Sequence, residues 1–342
     1  MKKLLAMLMA LMMVLSLAAC GGEKAPATDA PAADAPADAP ADAPAEFTGE
    51  ELKFTTGGSQ GTYYGFGSVL AGQITSATDS TITAVEGAGS QANIELLDSG
   101  DMDVAFVQSD VMAYAYGGTN LFAEFGKVDC FSTIAALYME QVQIVTCDPA
   151  IKTVADLEGK NVSIGAAGSG VYYNAIDVLG AYGLTEEDIN PTYQSFGDSA
   201  EALQDGKIDA AFVVAGAPTT AITSLAASKP VYLVSLDDEH IDALLAASPY
   251  YSKNIIPAEV YGLAEDCTTV AVGAVVIAND TISEQDAYNI CAGIFENIDT
   301  ITTSHAKGAE LDLEFATSIT SVPYHPGAAK YFAEKNITVP TK

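Results

Sequence analysis

From about residue 50 onward, short apolar runs alternate with amphipathic stretches. Residues 52–56 read as a strand, 57–61 as a glycine turn, and 63–76 as a helix with its apolar positions on one face. Residues 81–85 alternate apolar and polar side chains, as a half-buried strand does. A helix over 90–97 and a buried strand over 104–107 complete a βαβαβ run, which predicts an open parallel sheet.

The pattern then recurs. Residues 142–146 read as a strand, 153–157 as a short helix and 162–165 as a strand. The glycine turn at 166–170 leads into a helix reaching about residue 184. A helix over 198–204 and a strand over 208–214 close this second unit. Residues 270–277 are an apolar strand, and helices fill much of the remainder. The two units share a phrase. LDSGDMDVAFV (97–107) and LQDGKIDAAFV (203–213) both read as helix end, glycine stop, aspartate and buried strand. Two similar α/β units are therefore expected.

The N-terminus changes the picture. Lys2 and Lys3 precede an apolar run to Ala19, and Leu17-Ala18-Ala19 stands directly before Cys20. A basic end, an apolar stretch and small residues make an export signal. The run is shorter than the roughly 20 apolar residues of a membrane span. Cys20 in this setting resembles the lipidated cysteine of bacterial lipoproteins, with the signal at 1–19 removed. Residues 20–46 are mostly Ala, Pro and Asp and lack core formers, so they read as a disordered tether. Extended at about 3.1 Å per residue, such a stalk reaches up to about 80 Å.

Composition narrows the chemistry. The chain has 45 acidic and 14 basic residues, a net charge of −31. That balance disfavours nucleic acid, whose binding requires phosphate neutralisation. Every basic residue is lysine, so the bidentate arginine clamp on a carboxylate is not available. Cys130, Cys147, Cys267 and Cys291 form no CxxC pair, so neither a metal site nor a redox motif is expected, and disulfides or buried thiols both fit. The only histidines are His240, His305 and His325, none in a glycine loop. Residues 57–61 lack the Gly-Lys-Ser/Thr of a P-loop, and 165–170 space their glycines wrongly for a dinucleotide fingerprint. A binding protein rather than an enzyme is expected, with no cofactor.

Seven phrases in order carry a family resemblance: TGGSQGTYY (56–64), GAGSQAN (87–93), VQSD (107–110), ALYME (136–140), SIGAAGSG (163–170), FVVAGAPT (212–219) and PYHPGA (323–328). Together they resemble the TAXI-type solute-binding proteins of tripartite ATP-independent periplasmic (TRAP) transporters. The resemblance implies an α/β, two-lobed periplasmic-binding-protein fold (type II-like), with ligand in the inter-lobe cleft. It implies one lobe from 47–145 plus 268–342 and another from 146–267. It also implies TRAP membrane permease subunits as partners, and a small carboxylate or amino acid, glutamate-like, as ligand. The expected product is an extracytoplasmic, lipid-anchored monomer. A binding protein for an ABC importer or a sensor is the alternative, and an enzyme on the same fold is a remoter one.

The candidate loops follow strand ends, where open sheets hold ligands. Gly58 and Gly61 in one unit, and Ser169 and Gly170 in the other, would let backbone amides approach an anion at a helix start. Tyr63 and Tyr64 would wall the cleft or pack in the core. Ser90 and Asn93 would cap a helix or touch ligand. Gln108 and Ser109 would bond ligand, and Asp110 would accept an ammonium group or cap a helix. Glu140 is a weaker case of the same kind. Tyr138, Gly216, Pro218 and Thr219 would complete the walls.

Overall fold

The computed structural model describes residues 51–342 apart from residue 121. The export signal, Cys20 and the 20–46 tether lie outside the described residues. The strands are β1 (Glu51–Thr55), β2 (Thr81–Val85), β3 (Val104–Gln108), β4 (Phe131–Thr146), β5 (Asn161–Ser163), β6 (Asn190–Thr192), β7 (Ala210–Ala215), β8 (Tyr232–Leu233), β9 (Ser252–Ile256) and β10 (Cys267–Asn279). The helices are α1 (Thr62–Ala77), α2 (Ser90–Asp98), α3 (Ser109–Gly117), α4 (Phe122–Phe125), α5 (Val171–Ala181), α6 (Phe196–Asp205), α7 (Thr220–Ala226), α8 (Asp238–Ala247), α9 (Glu284–Phe295), α10 (Ile298–Ser304), α11 (Leu313–Ala316) and α12 (Pro326–Glu334).

One sheet runs β2-β1-β3-β10-β4-β7-β5-β6, with β8 beside β4 and β9 beside β10. Its two ends repeat each other. In the first, β1 lies parallel to β2 and β3, and β3 meets β10 antiparallel. In the second, β5 lies parallel to β6 and β7, and β7 meets β4 antiparallel. The chain is thus built as two similar α/β halves, or lobes, of one sheet. The sheet is mixed rather than purely parallel, because the chain crosses between lobes on β4 and β10. A segment that leaves one lobe to enter the other must run against the parallel trio it borders.

The shared phrase now has a structural reason. Asp103 Oδ2 accepts the Lys53 N–H at 2.8 Å, and Asp209 Oδ2 accepts the Asn161 N–H at 2.8 Å. Each aspartate's own N–H returns to the same residue's carbonyl, at 3.1 Å and 2.8 Å. The aspartate thus fixes the start of the neighbouring parallel strand before the regular ladder begins. Gly100 (φ +76°) and Gly206 (φ +69°) supply the left-handed turns that bring it there.

Each lobe is a sheet between two helical layers. In the first, Phe54, Phe66, Leu70, Tyr331 and Phe332 pack on one face, and Ile94, Val107, Met112 and Phe131 on the other. In the second, Val162, Val178, Leu179 and Leu244 cover one face, and Leu203, Val213, Ile222 and Leu225 the other. Strands buried on both faces read as continuous apolar runs, which is why β3 and β7 stood out in the sequence. Cys130, Cys147, Cys267 and Cys291 are free thiols.

Replacing Asp103 or Asp209 by Ala should each lower unfolding stability by about 1 kcal/mol in urea titrations. Because the two contacts lie in different lobes, the double variant should lose close to the sum. Wild-type midpoints in both single variants would mean that water replaces these bonds without cost.

Candidate functional site

The parallel strands deliver their following helices to one place. A cavity of about 390 Å³ lies between the lobes and is lined by the starts of four helices: Gly61 and Thr62 of α1, Ser90 of α2, Gly170 and Val171 of α5, and Phe196 and Gly197 of α6. Two come from each lobe, after the equivalent strands β1, β2, β5 and β6. The first-turn amides of a helix lack intrahelical acceptors, and its dipole places about half a positive charge there. Four such ends facing one cavity favour an anionic group without any arginine or lysine in the lining.

The lining carries carboxyls instead. Glu86 sits at the exposed edge, its Oε1 accepting the Ser59 N–H at 2.8 Å. Glu140, on β4, is only 2% exposed. The hydroxyl of Tyr63 donates to Glu140 Oε2 at 2.7 Å, while the Tyr63 ring stacks on Phe106 with centroids 4.7 Å apart. Burial pushes the Glu140 carboxyl up to about 8, against the opposing effects of the Tyr63 bond and Lys307. The Tyr63 phenol is raised well above its usual value by burial and by Glu140.

Of the expected residues, Gly58, Gly61, Tyr63, Ser90, Gln108, Ser169 and Gly170 line this cavity. Ser90 Oγ accepts the Gln108 N–H at 3.0 Å and so joins α2 to the end of β3. Among the described residues, Gln108 Oε1 and Ser169 Oγ are buried without a hydrogen-bond partner. Gly170 is a close approach between lobes: a Cβ there would lie 1.5 Å from Gln108 Oε1.

The others fall outside the lining. Asn93 is fully buried, donating to the carbonyls of Thr56 and Phe106 and accepting from Thr55 Oγ1. Ser109 Oγ accepts the Gly273 N–H at 3.0 Å and ties α3 to β10. Asp110 lies behind Gln108, accepting from Asn174 Nδ2 at 2.9 Å. Tyr138 is buried in the first-lobe core beneath Lys307, whose Nζ stands 5.4 Å from the ring centre. Tyr64 is half-buried on α1. Gly216 accepts from Thr62 Oγ1 at 3.0 Å. Pro218 follows a cis peptide bond, and Thr219 is held by Gln143 and Tyr261. These residues build the frame around the cavity.

Sequence reasoning missed residues 194–197, the turn from β6 into α6. Its signal was present: Ser195 caps α6 by accepting the Asp198 N–H at 3.1 Å, the Ser-x-x-acid signature of a helix start. The equivalence of β6–α6 with β2–α2 would also have pointed there. Thr62 was missed within a loop already singled out.

The lobes touch directly around the cavity. Ala92 N–H donates to the Gly168 carbonyl at 3.0 Å, Gln108 Nε2 to Asn174 Oδ1 at 2.8 Å, and Ala221 N–H to the Gln60 carbonyl at 3.1 Å.

Residues 54–335 match the NMT1-like family. Among solved structures, the chain is similar to the periplasmic aliphatic sulphonate binding protein SsuA from Escherichia coli, at 18% identity over 83% of each chain, with a TM-score of 0.47. It is also similar to the alkanesulfonate-binding protein SsuA from Xanthomonas axonopodis pv. citri bound to MOPS, at 16% identity over 83% of this chain and 90% of that one, TM-score 0.47. The substrate binding protein of an amino acid ABC transporter gives 12% identity over 75% and 97%, TM-score 0.46.

Two outcomes follow from this geometry. Gly170 has a helical φ of −69°, so Gly170→Ala strains nothing locally and acts through Gln108. It should cost about 1–3 kcal/mol, the usual penalty of overpacking, in thermal or urea unfolding. Asp110 gives a pH signature. Burial raises its carboxyl from 3.8 to about 7, so its contribution to stability is full below about pH 4 and is lost as pH rises to about 7. Asp110→Asn should therefore raise the melting midpoint at pH 8, raise it less at pH 5, and leave it nearly unchanged at pH 3.5. A variant less stable at pH 8 and at pH 5 would show that the ionised carboxylate is the favoured form.

Proposed function

This chain belongs to the NMT1-like family, and we propose that it is an extracytoplasmic solute-binding protein that captures a small carboxylate or amino acid, glutamate-like, between two closing lobes and hands it to a membrane transporter. The observation that carries this reading is the convergence of four helix starts on one cavity between the lobes. With no arginine in the chain and no lysine in the lining, oriented amides and hydroxyls are the means left there to hold a carboxylate. The cavity is large enough for a small organic solute.

The moving bodies are taken as residues 47–145 with 268–342, and residues 146–267. In this reading the direct bonds between lobes form on closure and part when solute leaves. No helix among the described residues is long and apolar enough to cross a membrane. The attachment is assigned instead to lipid on Cys20, with residues 20–46 as the tether, and the transporter to the TRAP secondary type. The support for that type is the ordered set of loop phrases in the sequence. An ABC importer would dock on the same kind of lobes, and transport assays driven by an ion gradient or by ATP separate the two.

Thermal melting of the full-length protein against amino acids and carboxylates tests the reading. A ligand at a hundredfold excess over its Kd stabilises the folded state by about 2.7 kcal/mol, which should raise the midpoint by several degrees. No shift with any member of either class would overturn it. For the anchor, Cys20→Ser should move the protein from the membrane fraction to the soluble fraction of cells.

A further inference from the structure

We infer that Glu140 forms a subsite of the cavity that reads the ammonium group of a ligand. This rests on the solute-binding reading above and specifies how the site chooses among solutes. It starts from hydrogen-bond directions. Asn174 Nδ2 donates to Asp110 Oδ2 at 2.9 Å and to the Tyr251 hydroxyl at 2.8 Å. The Tyr251 hydroxyl spends its own hydrogen on Asp177 Oδ2 at 2.8 Å and can only accept from Asn174, so the Asn174 amide is fixed with Nδ2 on this side, and its Oδ1 can only accept. It accepts from Gln108 Nε2 at 2.8 Å. Gln108 is thereby fixed as well: its acceptor, Oε1, is packed against Gly170, buried and without a partner among the described residues, so it closes the wall of the cavity and is not open to it. Asp110 does not touch the cavity but acts at one remove, as a positioning residue for Gln108.

Glu140 is the acceptor left to the cavity. One oxygen takes the Tyr63 hydroxyl; the other, Oε1, has no hydrogen-bond partner among the described residues, and the residue lines the cavity. The groups around it leave it without a committed counter-charge. Tyr63 on α1 donates a neutral bond, and Tyr138 on its own strand is a neutral phenol. Asp110 on α3 and Glu86 at the rim are acidic. Lys307, in the turn 306–310, is bound to Glu310 at 2.5 Å. The lining thus offers a free carboxyl oxygen and no cation, together with helix starts that favour an anion. A molecule with both a carboxylate and a protonated amine satisfies both requirements, and a dicarboxylate does not satisfy the second. A buried carboxyl left without its counter-charge holds its proton, and burial holds that of Glu140 up to about 8. At neutral pH the exchange therefore balances as protonated Glu140 plus ligand ammonium giving the carboxylate–ammonium pair, with one proton released to solvent.

The test is calorimetric titration of full-length wild type and Glu140→Gln with amino acids, each paired with the 2-oxo acid of the same skeleton. Wild type should bind the amine of a pair at least about thirtyfold more tightly. Its affinity should rise by up to about tenfold per pH unit between pH 6 and 7.5, with proton release visible as a dependence of the heat on buffer ionisation. Glu140→Gln, which preserves the shape and the Tyr63 bond, should bring the two members of a pair to within about threefold and abolish the pH slope. Equal weakening of both members, or no preference for the amine in wild type, overturns the assignment of Glu140 while leaving a solute-binding protein. Binding of neither class by wild type removes the solute reading itself and this subsite with it.

Discussion

The structure depends on the pairing of two long strands, β4 and β10. From Phe131–Asn279 to Gln141–Ala271 they run antiparallel through the middle of the sheet. Beyond that point they diverge, β4 to pair with β7 and β10 to pair with β9. One continuous hydrogen-bonded ribbon therefore belongs to both lobes. Antiparallel pairing leaves few backbone groups unsatisfied in the crossing, which is buried and would tolerate no irregular loop. It also fixes where the lobes meet, because each parallel trio grows outward from its own side of the ribbon.

That constraint produces the site. Parallel strands on each side present the same ends toward the crossing, so the helices that follow β1, β2, β5 and β6 all begin there. Helix starts are sources of positive potential, and placing four of them around a cavity of about 390 Å³ concentrates in one volume what each would otherwise lose to solvent screening. The same ribbon carries Glu140 and Gln141. The carboxyl that lines the cavity is thus on a strand shared by both halves of the sheet.

The cost of this arrangement is borne by buried polar groups. Asp110, Asn174, Gln108 and Glu140 lie in an interior where every donor and acceptor must be matched. Four acceptors or hydroxyls, at Gln108, Asp110, Tyr138 and Ser169, are buried without partners among the described residues. Unmatched groups of this kind each subtract from stability.

Much of this was legible in the sequence. The apolar runs of β3 and β7, the glycine turns and the repeated aspartate phrase gave the two α/β units, because local hydrophobic periodicity and φ-positive glycines are properties of short segments. The loops holding Gly58, Gly61, Ser90, Gln108, Ser169 and Gly170 were found for the same reason. The sequence by itself also excluded an arginine clamp. Tertiary structure decided what depends on residues far apart in the chain. It made the sheet mixed, since no local pattern states which way a crossing strand will run. It put the 194–197 turn beside loops more than 100 residues away. It set Asp110 behind Gln108 and left Glu140 facing the cavity, although both are acids near apolar strands in the sequence. Which carboxyl meets a solute is fixed by the register of β4 against β10, and register is settled only when both faces of the sheet are packed.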